Sequence, residues 1–162
     1  MTEAQLLATG PELLGHGVRG VEPVLQELIE TAHRELQIVA YVLTPSAMKL
    51  LAPAQVAAER GVKVTIIVNR FENQKPGVKT WLRKACRSSP AFRALDFSPR
   101  DRKELHAKLC IADRNRAVLG SANYSWGGLV SNYEIGILLE GTMAWQLADM
   151  VDEIETLCRS IS

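Results

Sequence analysis

Residues 106–123, HAKLCIADRNRAVLGSAN, set an imidazole and an ammonium two positions apart and follow them with a hydroxyl and an amide. On an extended chain His106, Lys108 and Cys110 face one side, while Ala107, Leu109 and Ile111 face the other. The apolar set buries in a core, and the imidazole and ammonium project together into a cleft. Arg114, Asn115 and Arg116 supply a turn, so the chain is expected to return beside itself and carry Ser121 and Asn123 to the same place. Gly120 leaves room there for close backbone approach. Lys108, Ser121 and Asn123 then offer donors suited to the oxygens of a phosphate. A neutral imidazole beside them is a nucleophile toward phosphorus, and its titration near pH ~6.5 lets it serve as acid or base as well. The chemistry described is phosphodiester transfer through a phosphohistidine.

Such side chains need a rigid frame. VEPVLQELIETAHREL, residues 21–36, places Val24, Leu25, Leu28, Ile29 and Ala32 at helical spacing. LQIVAYVLT (36–44) and VKVTIIVNR (62–70) are rich in β-branched residues and read as buried strands, the second of the near-continuous apolar type found in parallel sheets. Between them PSAMKLLAPAQVAAER (45–60) is an expected helix with Pro53 as a point of interruption and Gly61 as its stop. FENQKPGVKT (71–80) reads as a loop leading into a basic helix around Trp81 to Cys86. AFRALDF, ELHAKLCIAD, RAVLGSAN and SNYEIGILLE are further strands, and TMAWQLADMVDEIETLCRSI is an amphipathic helix. The expected fold is α/β, a mixed, largely parallel sheet flanked by helices, with residues 1–162 forming one domain.

Composition bounds the answer without choosing it. At 162 residues the chain is long enough for a core, and 47% hydrophobic with 23% charged residues describes a folded protein. Net charge is +1, but residues 70–108 hold eleven Lys or Arg against four Asp or Glu, a local excess that attracts polyanions. Three cysteines, Cys86, Cys110 and Cys158, lack metal-type spacing and suit a reducing compartment. With no secretory pattern in MTEAQLLATGPELLG and no apolar run near the ~20 residues of a membrane span, a cytoplasmic location is expected.

The spacing His106-x-Lys108-x4-Asp113-x6-Gly120-Ser121-x-Asn123 resembles the HKD signature of the phospholipase D superfamily and matches it without a departure. Six fixed identities at fixed spacing arise by chance on the order of 10⁻⁷ per starting position. Asn132-Tyr133-Glu134 is similar to the family's continuation of the motif. The resemblance implies roles: His106 as nucleophile, Lys108 and Asn123 on the nonbridging oxygens, Ser121 assisting, and Glu134 accepting from the other imidazole nitrogen. It also implies that Asp113 stabilises local architecture more than it touches substrate.

The family's mechanism uses two histidines, and this chain has one HKD motif. His33, in the expected helix, and His16, in a Gly-rich segment, read as structural or surface residues. The resemblance therefore implies a homodimer in which two copies of His106 bracket one phosphate, as in short single-motif nucleases. Scattered His and Cys without paired carboxylates at the motif argue against a metal, and no cofactor is expected. The basic run, with Arg83, Lys84, Arg87, Arg93, Arg100, Arg102 and Lys103, suits nucleic-acid phosphates. A phospholipid headgroup and a catalytically silent binding or scaffold module are the alternatives. Partners in a bacterial restriction or antiphage system are a further expectation. Tyr124 and Trp126 read as packing residues before stacking ones, and Gly127-Gly128 as a loop near the cleft.

Overall fold

The computed structural model describes residues 3–162. In chain order it holds β1 (Ala4–Thr9), β2 (Arg19–Gly20), α1 (Val21–Thr31), β3 (Glu35–Ala40), α2 (Met48–Glu59), β4 (Lys63–Asn69), α3 (Pro76–Ser88) and β5 (Phe92–Phe97). Then follow β6 (Leu109–Ala112), β7 (Arg116–Gly120), β8 (Glu134–Glu140), α4 (Thr142–Glu155) and β9 (Arg159–Ser160). One sheet joins the strands in the order β2-β1-β8-β7-β6-β3-β4-β5-β9.

Strands β3 and β4 carry apolar residues on consecutive positions because both sheet faces are covered. Leu36, Ile38 and Ala40 of β3 and Val64, Ile66 and Val68 of β4 enter one core with α1, α2 and α3. Val39 and Ile67 enter the second core, beneath Ala144, Ala148 and Val151 of α4. The sheet is mixed, as expected, but the largely parallel character holds only in the β3-β4-β5 block and at β1-β2. The β6-β7-β8-β1 half is antiparallel, because three residues join β6 to β7 and a parallel return needs a crossover many residues longer.

Several expectations about elements change; the expected tail helix, for one, ends at Glu155 and gives way to β9. The helix expected over 21–36 ends at Thr31, and His33 lies outside it, because the Asp113 carboxylate accepts the backbone N–H groups of His33, Arg34 and Glu35 and draws the chain into β3. Pro53 stays inside α2. The strand expected from Glu104 is paired only from Leu109, where β3 ends its register at Val39, and residues 102–108 are irregular. β1 was not expected; it pairs with β8 and closes the antiparallel half.

The functional consequence is one of placement. β3 and β4 end side by side, β6 begins beside the end of β3, and so His106 and Lys108 emerge at the carboxyl ends of the parallel strands. That edge is where open α/β sheets leave a crevice.

Candidate active site

Alternation around the motif survives although pairing starts late. Ala107, Leu109 and Ile111 pack into the α4-side core, while Cys110 is fully buried on the other side, its thiol pushed up to about 12 by burial. Cys110 therefore belongs to the core and not to the cleft it was expected to face with His106. His106 is exposed, and Lys108 is 7% exposed. The Lys108 Nζ donates to the His106 carbonyl at 2.7 Å and lies 3.0 Å from His106 Nδ1. Burial lowers the Lys108 pKa, and the negative charge of Glu134 partly opposes that shift. Tyr41, from the segment after β3, completes the group: its ring centroid is 4.2 Å from that of His106 and 5.2 Å from Lys108 Nζ. Sequence reasoning missed Tyr41, which shows as a chemical signal only as the aromatic directly after a buried strand.

The hairpin brings the second half of the motif alongside. Leu109 pairs with Leu119, and the Gly120 N–H donates to the Lys108 carbonyl at 3.3 Å. Gly120 lies opposite Gly136 of β8, where an added Cβ would sit 2.8 Å from Gly136 Cα and from the Ile135 carbonyl oxygen. Two glycines facing each other let β7 and β8 approach closely just before Ser121 and just after Glu134.

Ser121 and Asn123 lie beyond β7, in the irregular run before a π-helical turn at Gly127–Ser131. The Ser121 hydroxyl donates to the Glu134 carboxylate and accepts the Ile135 N–H at 3.2 Å. Asn132 Nδ2 donates to the other Glu134 oxygen at 3.1 Å. Glu134 was expected to accept from the His106 ring; within one chain it is held by Ser121 and Asn132 instead, because β7 stands between β8 and β6. Asn123 Oδ1 is buried with no hydrogen-bond partner in the chain, an acceptor left open to a donor. The turn seats Asn123 by contact: Gly128 packs on its backbone so closely that an added Cβ would lie 2.3 Å from the Asn123 carbonyl oxygen. The Gly128 carbonyl in turn accepts the buried hydroxyl of Thr9 at 3.0 Å.

Asp113 sits at the other end of β6, in the tight turn to β7, with positive φ (54°). Partial burial raises its pKa, and the N–H bonds from Glu35, Arg34 and His33 more than offset this, holding the carboxyl below its ordinary value. The folded chain thus binds fewer protons at this site than the unfolded chain just below pH ~4. The stabilisation is full above that pH and drains as pH falls through the folded value. Asp113→Asn is expected to cost about 2 kcal/mol at pH 7, and urea midpoints measured from pH 7 to pH 3 should converge with those of the unaltered chain. An equal gap at both ends would contradict this account.

The two remaining histidines lie away from the cleft. His33 is held at the Asp113 end of β3 and β6. His16 neighbours Gly17, whose carbonyl accepts from Gln5 at the end of β1 opposite to Thr9 and Glu134. Tyr124 is buried, and its hydroxyl donates to the Leu109 carbonyl at 2.9 Å; Trp126 is 63% exposed and so is not packed in the core of its own chain. Among the described residues no three His, Cys, Asp or Glu side chains gather as a metal cluster, and no helix is long and apolar enough to cross a membrane.

Known proteins resemble the chain to different extents. The chain is 29% identical over 125 residues to the 5'-3' exonuclease PLD3 of Macaca fascicularis, covering 69% of this chain and 25% of that protein. It is 26% identical over 138 residues to the DISARM protein DrmC of Bacillus paralicheniformis, covering 85% of this chain and 57% of that one. The chain thus spans about a quarter of one curated relative and somewhat over half of the other. In fold it is similar to the phospholipase D family member Nuc of Salmonella typhimurium, with a TM-score of 0.78 at 18% identity over 99% of this chain and 98% of that one. The family described as "Cardiolipin synthase, PLD-like domain" matches residues 25–157, from within α1 to past the end of α4. The chain belongs to that phospholipase D-like family.

Proposed function

We propose that the chain is a metal-independent phosphodiesterase, a nuclease that cleaves DNA or RNA through a phosphohistidine in a site shared by two copies. The observation that carries the reading is the pairing of the exposed His106 ring with the buried Lys108 ammonium at one strand edge, with Ser121 and Asn123 following directly after the adjoining strand β7. Lys108 and Asn123 grip the nonbridging oxygens, and their charge and dipoles favour the transition state. An imidazole nitrogen of one His106 donates its electron pair to phosphorus as the bond to the leaving oxygen breaks. The imidazole of the second copy gives that oxygen its proton, then takes one from the water that releases the phosphohistidine.

Glu134 fits this shared site. In a single chain the Lys108 ammonium faces Nδ1 at 3.0 Å, and as a donor it favours the tautomer with the ring proton on Nε2. When Lys108 turns to a phosphate oxygen, Nδ1 is free to carry the proton and needs an acceptor. Glu134 does not touch the ring of its own chain, and the reading gives it to the ring of the other copy. Ser121 acts through Glu134, because its hydroxyl is already donated there. Tyr133 and Ile135, on either side of Glu134, are 67% and 65% exposed, and such apolar exposure beside a site suits coverage by a second copy.

Nucleic acid is favoured over lipid by charge near the nucleophile. Arg100 and Arg102 stand exposed on the loop leading into His106 without a carboxylate partner among the described residues, whereas Arg93 is spent on Glu155 and lies outside this group. Similarity to DrmC supports a place beside other components of a defence system. The test offers single-stranded DNA, duplex DNA, RNA and phosphatidyl lipid vesicles side by side with chelator present. Hydrolysis of nucleic acid that survives chelation is expected; faster release of headgroups from lipid would overturn the nuclease reading.

A further inference from the structure

A groove of about 250 Å³ opens beside Tyr41, with His106 outside its lining, between the segment after β3 and the segment after β4. Tyr41 and Val42 form one wall, Asn69 and Glu104 the floor, and Asn73 and Lys75 the opposite rim. Tyr41 is thus shared with the reactive pair: its ring meets that of His106, and the same residue lines the groove.

The groove is built on a fixed base. Asn69 Oδ1 accepts the Leu105 N–H at 2.8 Å, its Nδ2 donates to Glu104, and Arg70 Nε donates to the second Glu104 oxygen at 2.8 Å. These bonds satisfy the floor and leave no bare anion to repel a phosphate. The rim differs. Among the described residues the Asn73 amide and the Lys75 ammonium are exposed and make no side-chain hydrogen bond or ion pair. An amide and an ammonium beside an aromatic wall do not suit an acyl glycerol, whose chains need a continuous apolar channel. They suit a nucleoside and the phosphate after it.

We infer that this groove seats the nucleoside adjoining the scissile phosphate of an unpaired strand, with its base against Tyr41 and Val42, its edge on Asn73, and the next phosphate on Lys75. A paired base is stacked and its edge is occupied, so a single strand enters where a duplex does not. Trp126 stands near the Tyr41 side of the groove: its backbone N–H donates to Ser46 Oγ at 3.0 Å, and Ser46 bonds to Thr44, which lines the groove. Its exposed indole offers a stacking surface for a following base. The inference rests on the nuclease reading and narrows it to single strands.

The experiment compares Asn73→Ala/Lys75→Ala with its parent, both in a His106→Ala background so that labelled single-stranded DNA and RNA stay intact during anisotropy titrations across salt. The expected result is about a tenfold loss of affinity, with the slope of log K against log salt reduced by about one. Trp126→Ala is expected to weaken the same binding several-fold. With His106 restored, the double change should reduce kcat/KM for an oligonucleotide about tenfold more than for bis(p-nitrophenyl) phosphate, which is too small to fill the groove. Unchanged affinity and salt slope, or equal losses on both substrates, would overturn the groove assignment. If the unaltered chain cleaves neither substrate while the groove-dependent binding persists, the groove stands and the catalytic reading fails.

Discussion

Replacing His106 with alanine is expected to lower phosphodiester cleavage by about 10⁴-fold or more while the chain stays folded. The size follows from the step removed. Without the imidazole there is no nitrogen to carry the phosphoryl group, and the shared site loses its proton donor in the same stroke, since both copies change. Folding should be nearly untouched because His106 is exposed and its ring contacts are with Tyr41 and Lys108. A melting temperature within about 3 °C of the unaltered chain is the control. The covalent intermediate gives an independent readout: acid-stopped reactions with a ³²P-labelled diester should leave label on the protein only when His106 is present. Label retained by His106→Ala would place the nucleophile elsewhere.

Gly128→Ala is expected to produce the second large effect, although residue 128 carries no functional group. Its Cβ would lie 2.3 Å from the Asn123 carbonyl oxygen and 2.6 Å from the Asn123 nitrogen. Both are backbone atoms, so no rotamer change relieves the clash. The π-helical turn must move away from Asn123 or push Asn123 out of the cleft. Overpacking of this kind costs about 3 kcal/mol, a fall of about 6–12 °C in melting temperature for a chain of this size. Displacing the amide by about 1 Å should lower kcat about 10²-fold in the fraction that folds. Gly127→Ala is the matched control: the atoms nearest its Cβ belong to the Asn132 side chain, at 3.3 Å, so melting should shift little and turnover should fall far less than in Gly128→Ala. Equal behaviour of the two variants would show that Asn123 is not seated by this contact.

Much of the frame is legible in the residues, for physical reasons. Runs such as KVTIIVN read as strands because both faces of β4 are covered, so positions 64–69 are all buried and four of them are aliphatic. The alternation through Ala107, Leu109 and Ile111 separates core from cleft even where the strand has not begun to pair. The face-to-face glycines make Gly120 a close-approach residue as its position in the motif suggests. Less legible are features that depend on distant partners. Where α1 stops is decided by the Asp113 carboxylate some eighty positions later, which no local pattern around His33 contains. Tyr41 gains its meaning from the His106 ring, and Gly128 from the Asn123 backbone, both across long separations in the fold or through an unusual turn. The Glu134 bonds are missed for a similar reason: spacing along the motif does not reveal that β7 stands between β8 and β6.

The shared site is the claim on which the chemistry depends, because each chain brings a single imidazole to the cleft: His33 and His16 lie at other ends of the strands. The most direct measurement is activity after subunit exchange between unaltered chains and His106→Ala chains at fixed total protein. If two copies build one site and both imidazoles are needed, activity follows the square of the unaltered fraction, about one quarter at equal mixing. If each chain works alone, equal mixing leaves about one half, and a strictly linear dependence, with the active species sedimenting as a monomer, would contradict the account.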